Sequence, residues 1–273
     1  MAATSFIFLD ECISKHSKSQ PAATGIASIT GVIVPVERYA ALREQFYETR
    51  LSEIVPRAGT ISFPKELHGK DLMREHSDDA KLEQVGKVAD LLLRNGVRLC
   101  RVGYRLGKQV EQTIGDAGVI QLCWLKLLMV LRGLPEPADL IPVMDMTEDK
   151  KLRDALAFLV RSGDVVRAAG ATEFLGIPKT EGILGEMLFA DSASSVFVQT
   201  ADLVSYMLHA SDQQEQGAQL TQFKAGLAAT AARLEPLLIL NAVITMRWLP
   251  DGGIDASLQG TGAGGSAPFE SHD

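Results

Sequence analysis

Residues 6–10 read Phe-Ile-Phe-Leu-Asp, and residues 141–145 read Ile-Pro-Val-Met-Asp. Each is a short apolar run closed by an aspartate. Continuous apolar runs suit strands covered on both faces, as in sheets with helices above and below. If both strands run parallel, Asp10 and Asp145 leave the sheet at the same edge, its carboxyl end, where ligand sites of α/β folds concentrate. Adjacent strands lie about 4.8 Å apart. Two carboxylates at neighbouring strand ends repel each other unless a cation lies between them or one takes up a proton. These stretches set both the expected fold class, α/β, and the place to look for chemistry.

The segments around them alternate between strand and helix patterns. Residues 25–34 are rich in β-branched side chains and stop at Pro35, which reads as a second strand. Val36, Tyr39, Leu42, Phe46, Leu51 and Ile54 recur at helical spacing. A further helix is expected over 80–94, ended by Asn95-Gly96 as a C-cap. The region 36–96 therefore reads as a helical insertion after the second strand. Strands are expected at 97–104, 140–144, 171–177, 187–190 and 239–248. Helices are expected at 118–131, 147–162, 196–210 and 220–233. Residues 251–273 hold six glycines with scattered Ala and Ser and are expected to be a disordered tail. One domain over 1–250 is the simplest account.

Composition narrows the class. The chain has 273 residues, 46% of them hydrophobic and 22% charged. That is ordinary for a globular protein of a size that needs no disulfide or structural metal. Cys12, Cys100 and Cys123 are widely spaced, which argues for a reducing cytosol and against a cysteine zinc site. No apolar run approaches the roughly 20 residues of a membrane span, and no basic segment precedes the first apolar run, so a cytoplasmic protein is expected. The net charge of −7 argues mildly against a protein coated in nucleic acid. It does not exclude a nuclease, because bound metal ions reverse the local sign of an acidic site.

The third member of the expected cluster is Asp202. Ser195, Gln199, Asp202 and Tyr206 fall on one helix face, and the sequence around them is mostly apolar and has no Lys or Arg. A charge buried there needs a partner, and a metal ion is a natural one. Each aspartate also has an ordinary reading. Asp10 can cap a turn, Asp145 can cap a helix beginning at Thr147, and Asp202 can pair with an arginine from elsewhere. Glu66, His68 and Lys70 share an expected loop, where they can supply a metal oxygen, a proton or imidazole ligand, and a phosphate contact. Arg98, Arg101, Arg105 and Lys108 form one basic group and Lys150, Lys151 and Arg153 another; either can be solvated surface, and the arginines near Arg101 can border a substrate groove.

Taken together, Leu9-Asp10-Glu11, Glu66-Leu67-His68, Val143-Met144-Asp145 and the run from Ser195 through Gln199-Thr200-Ala201-Asp202-Leu203 resemble domain-of-unknown-function family 3800. The resemblance covers about residues 5–210. It implies a ribonuclease H-like mixed sheet flanked by helices and metal-dependent phosphodiester cleavage. Two departures stand out. The family's Asp-Glu-Ser-Gly is Asp10-Glu11-Cys12-Ile13 here, and no acidic residue lies between Asp116 and Glu136 to supply a helix glutamate.

The expectation is a nuclease or related phosphoryl-transfer hydrolase dependent on Mg²⁺ or Mn²⁺. Asp10, Asp145 and Asp202 hold the ions, with Glu11 or Glu66 completing the shell. His68 assists, and Lys70, Gln199 and Arg101 contact nucleic acid. The alternatives are a non-catalytic nucleic-acid- or protein-binding scaffold of the same fold and a small-molecule phosphohydrolase.

Overall fold

The structure is a computed structural model that describes residues 4–14, 25–51, 78–106, 115, 118–127, 131, 139–145, 187–190, 195–248 and 254–260. The apolar run at 6–9 builds β1 (Thr4–Ser14), which pairs antiparallel with β2 (Gly25–Pro35). Pro35, with no N–H to donate, ends β2. A 3₁₀ turn (Val36–Arg38) then leads into α1 (Tyr39–Leu51). Next come α2 (Asp78–Asn95) and β3 (Arg98–Leu106). Gly96 closes α2 at φ +57°, while Gly96 N–H bonds to the Leu93 carbonyl and Val97 N–H to that of Leu92. This is the left-handed cap expected of Asn95-Gly96.

Helical residues 118–127 (α3) precede β4 (Asp139–Asp145) and β5 (Leu188–Ala190). Then follow α4 (Val196–Glu215), α5 (Gln222–Leu234), β6 (Leu238–Trp248) and β7 (Ile254–Gly260). The sheet is seven-stranded in the order β5-β4-β1-β2-β3-β6-β7. It is mixed: β4 runs parallel to β1 and β5 to β4, β3 runs antiparallel to β2, and β6 runs parallel to β3.

The run Phe6–Leu9 is apolar throughout because the sheet is covered on both sides. Phe8, Val32, Leu99 and Val143 join the core beneath α1, α2, α4 and α5. Ile7, Leu9, Ile29, Val102 and Met144 join the core on the opposite side, with Ile120, Cys123, Trp124 and Leu127 of α3. Each fully buried Leu, Ile, Val or Phe here contributes about 1.5–3 kcal/mol.

Two expectations are corrected. β1 does not stop at Asp10. Its parallel pairing with β4 stops at Leu9↔Met144, but its antiparallel pairing with β2 continues from Asp10↔Thr30 to Ser14↔Ile26. Asp10 therefore lies within β1, while Asp145 is the last residue of β4. The tail expected to be disordered from 251 contains β7, whose backbone pairs with β6 from Ala242↔Gly260 to Trp248↔Ile254. Hydrogen bonding along that edge outweighs a poor local signal. The helix expected at 147–162 and the strand expected at 171–177 lie outside the described residues. Among the described residues, no helix is long and apolar enough to cross a membrane.

Candidate functional site

Strand alternation decides which side of the sheet each acid faces. Asp10 follows Phe6 and Phe8, and Asp145 follows Val143, so both lie on the side covered by α4. Ser195 caps α4 by accepting from the Val198 N–H at 3.4 Å. The first turn of α4 is pinned over β1 by Phe197, whose ring centroid is 5.0 Å from that of Phe8, 5.3 Å from Phe46 and 5.4 Å from Tyr39. Two residues beyond Phe8 along the strand is Asp10. Five beyond Phe197 along the helix is Asp202. The aromatic contact thus brings two carboxylates remote in sequence into one neighbourhood.

The consequence is electrostatic. Asp10 is only 8% exposed. Burial holds its pKa well above the ordinary aspartate value, and the charges of Asp202, Glu11 and Asp145 raise it further. Glu11 is also raised, mainly by burial and in part by Asp145 and Asp202, against the lowering effect of its own backbone N–H. Its Oε2 is buried without a hydrogen-bond partner. The three aspartates therefore share one field, and like charges held together in low dielectric favour a proton or a cation. As oxygen donors they suit Mg²⁺ or Mn²⁺. Among the described residues, however, no three His, Cys, Asp or Glu side chains come together as a ready ligand set.

No family model, curated protein or solved structure matches this chain. Function therefore has to be argued from the site itself.

The other expected residues fare unevenly. Glu66, His68 and Lys70 lie outside the described residues. Gln199 and Arg101, expected at a substrate surface, are instead 4% and 1% exposed. Gln199 is on α4, one turn before Asp202, and is enclosed with the rest of that turn. Arg101 lies on the α4 side of β3, in the layer of Leu99, and its guanidinium pairs with Asp212 of α4. A cation paired with a buried acid under a helix does not border an open groove. Arg105, of the same basic group, is also turned to this helix, 3.7 Å from Asp212 and 3.9 Å from Glu215.

Four residues that join this layer were not anticipated: Cys12, Ser205, His209 and Asp212. Asp202, Ser205, His209 and Asp212 recur at i, i+3, i+7 and i+10, a polar seam along an otherwise apolar helix, and that spacing was the available signal. Burial pushes the Cys12 thiol up to about 11, against the pull of Arg101. Burial pushes His209 down to about 4, with Asp212 opposing and Arg101 and Lys224 adding to it. The Gln213 amide lies 3.0 Å from His209 Nε2, and donation from it leaves the ring proton on Nδ1.

Proposed function

We propose that the acidic site between β1, β4 and α4 binds Mg²⁺ or Mn²⁺ and that the protein is a metal-dependent phosphodiesterase acting on nucleic acid. The observation that carries this reading is the shared field of Asp10, Asp145 and Asp202, strong enough with burial to hold Asp10 well above its ordinary pKa. A carboxyl perturbed by burial and by the charges of neighbouring acids is a candidate for a functional site. Support also comes from the sheet, in which β2 alone among the first five strands runs against the others. That arrangement is consistent with the ribonuclease H-like fold that the motifs resemble.

Asp10, Asp145 and Asp202 would hold the metal; Glu11, expected as a further ligand, follows Asp10 in a regularly paired strand and so faces the other side of the sheet, adding its charge to the site rather than an oxygen to the shell. When bound, the metal would lower the pKa of a water nucleophile and stabilise negative charge at phosphorus. The chain's own contribution is to desolvate Asp10 and to hold Asp10 and Asp145 on the side of the sheet that α4 covers.

The test is a cleavage screen over single- and double-stranded DNA and RNA with Mn²⁺, Mg²⁺ or chelator. Cleavage is expected with either metal and not with chelator. Asp145→Asn is expected to lose at least 100-fold in rate while keeping the wild-type circular dichroism. Unchanged cleavage by that variant removes the proposal. One observation favours a second reading, a non-catalytic scaffold: the three aspartates do not form a ready ligand set. A calorimetric Mn²⁺ titration separates the two, since a scaffold shows no binding that Asp10→Asn abolishes.

A further inference from the structure

Beyond the part-buried Asp202, helix α4 carries an acid that is fully buried. Asp212 follows Asp202 by ten residues and is 5% exposed. It receives the Arg101 guanidinium, and Arg105 stands 3.7 Å from its other carboxylate oxygen. Arg101 and Asp10 belong to a single row across the sheet, because Asp10 pairs with Thr30 and Thr30 with Arg101. Two strand spacings, about 9.6 Å, separate the ends of that row. Ten helical residues rise about 15 Å. α4 therefore crosses the row obliquely and meets charge at two places. Over β1 acid faces acid; over β3 acid faces base.

The first meeting repels and the second attracts. Between them, α4 and the sheet meet through a polar layer. Ser205 faces Cys12, and the Ser28 and Thr30 hydroxyls are buried with no hydrogen-bond partner among the described residues. Such a layer offers little of the interdigitated apolar packing that fixes a helix by shape. The Phe197 cluster holds the first turn of α4 over β1, and further along Leu203, Val204, Met207, Leu208 and Ala210 bury the other flank of the helix in the core shared with α5. Past Asp202, the Arg101–Asp212 pair ties the sheet-facing side of the helix to β3, while on another side Lys224 of α5 donates to Gln213.

We propose that Arg101 and Asp212 are positioning residues for the acidic site, fixing the register of α4 so that Asp202 stays against Asp10. A buried ion pair is weak grounds for stability, because desolvation offsets its attraction, but setting register is a well-attested use for one. The functional form of this inference rests on the metal-site reading above.

The double variant Arg101→Met/Asp212→Leu tests it. Replacing both partners by apolar side chains removes both buried charges and leaves Arg105 with Glu215, so the melting temperature should stay close to that of the wild type. Mn²⁺ affinity is read by titration calorimetry, counting only the binding that Asp10→Asn abolishes. It should weaken about 10- to 100-fold, as when an outer group that orients a ligand is removed. Wild-type affinity in the folded double variant would overturn the inference and leave the metal site standing. Absence of specific Mn²⁺ binding by the wild-type protein would overturn both, and that is measured first. Should the double variant not fold, Asp212→Asn, which keeps the shape of the side chain, is titrated well below its own melting temperature. Unweakened Mn²⁺ binding there would overturn the inference equally.

Discussion

Asp10 is held where ionising it is costly, and the cost has a sign that can be measured. Its folded pKa lies above the unfolded value, so the folded state binds the extra proton. Stability from this group is fully present below the unfolded pKa of about 3.9 and is lost as pH rises through the raised folded value. Asp10→Asn mimics the protonated acid. In chelator at pH 8 it should melt higher than wild type, by about 2–4 °C for each kcal/mol relieved, and the two should converge near pH 4. A lower melting temperature for the variant at pH 8 would mean that the acids around Asp10 do not repel it. His209 carries the opposite sign. It is folded as neutral imidazole with its pKa pushed down to about 4, against 6.5 for an ordinary histidine. The unfolded chain binds more protons between those values, so stability is lost as pH falls from 6.5 towards 4, by about 3 kcal/mol in all. Because Asp10 and His209 pull in opposite directions across this range, the wild-type profile alone does not separate them. The difference between wild type and His209→Gln does: urea unfolding at pH 7 and pH 4.5 should show the variant losing less stability on acidification.

At the scale of elements, the central strands leave no room for a methyl group at Gly31. A Cβ there would lie 2.6 Å from Cys100 Sγ and 3.1 Å from Ile7 Cδ1. Cys100 and Ile7 are 0% and 2% exposed, so neither can swing into open space. Gly31→Ala should therefore destabilise by about 1–3 kcal/mol in denaturant unfolding, more than the 0.4–1 kcal/mol, roughly, gained by restricting the unfolded chain. Adding Cys100→Ala should recover part of the loss, since the two sites share a contact; independent, additive losses would show the clash to be absent. That close approach is invisible in the sequence, where Thr-Gly-Val is only a soft spot in a β-branched run. What was legible had a local cause. The two-sided burial of β1 follows from the unbroken Phe6–Leu9, the end of α2 from Asn95-Gly96, and the end of β2 from Pro35. What was not legible depended on partners distant in the chain. Asp10 looks terminal until β2 supplies pairing beyond it. Arg101 looks like one cation of a surface group until α4 covers it and brings Asp212. That the charges of Asp145 and Asp202 reach Asp10 was readable from apolar runs and helix spacing, whereas the deeper polar layer needed the crossing of α4 over the sheet to be known.

Across the whole molecule the two edges of the sheet serve different ends. The acidic residues lie at β1 and β4, near the β5 edge, whereas β7 closes the opposite edge by pairing with β6 over seven residues. Ile254, Ala256 and Leu258 alternate with Asp255, Ser257 and Gln259, the period of a strand, within a glycine-rich setting that made the segment read as tail. Without β7, the eleven-residue β6 would become the edge, with Leu240, Ala242, Val243 and Ile244 in its length. A long apolar edge strand is a template for pairing with another copy. Ending the chain at residue 253 should therefore lower the melting temperature and produce concentration-dependent association, read by sedimentation velocity and light scattering. Four strands of the order (β1, β2, β3 and β6) span from the acidic residues to the deleted edge, so whatever metal binding the intact protein shows should be unchanged in the truncated monomer at low concentration. Truncated protein that stays monomeric with an unchanged melting temperature would show that β7 is dispensable to the sheet. Loss of metal binding in a still-folded monomer would show that the two edges are coupled, against the separation that this strand order implies.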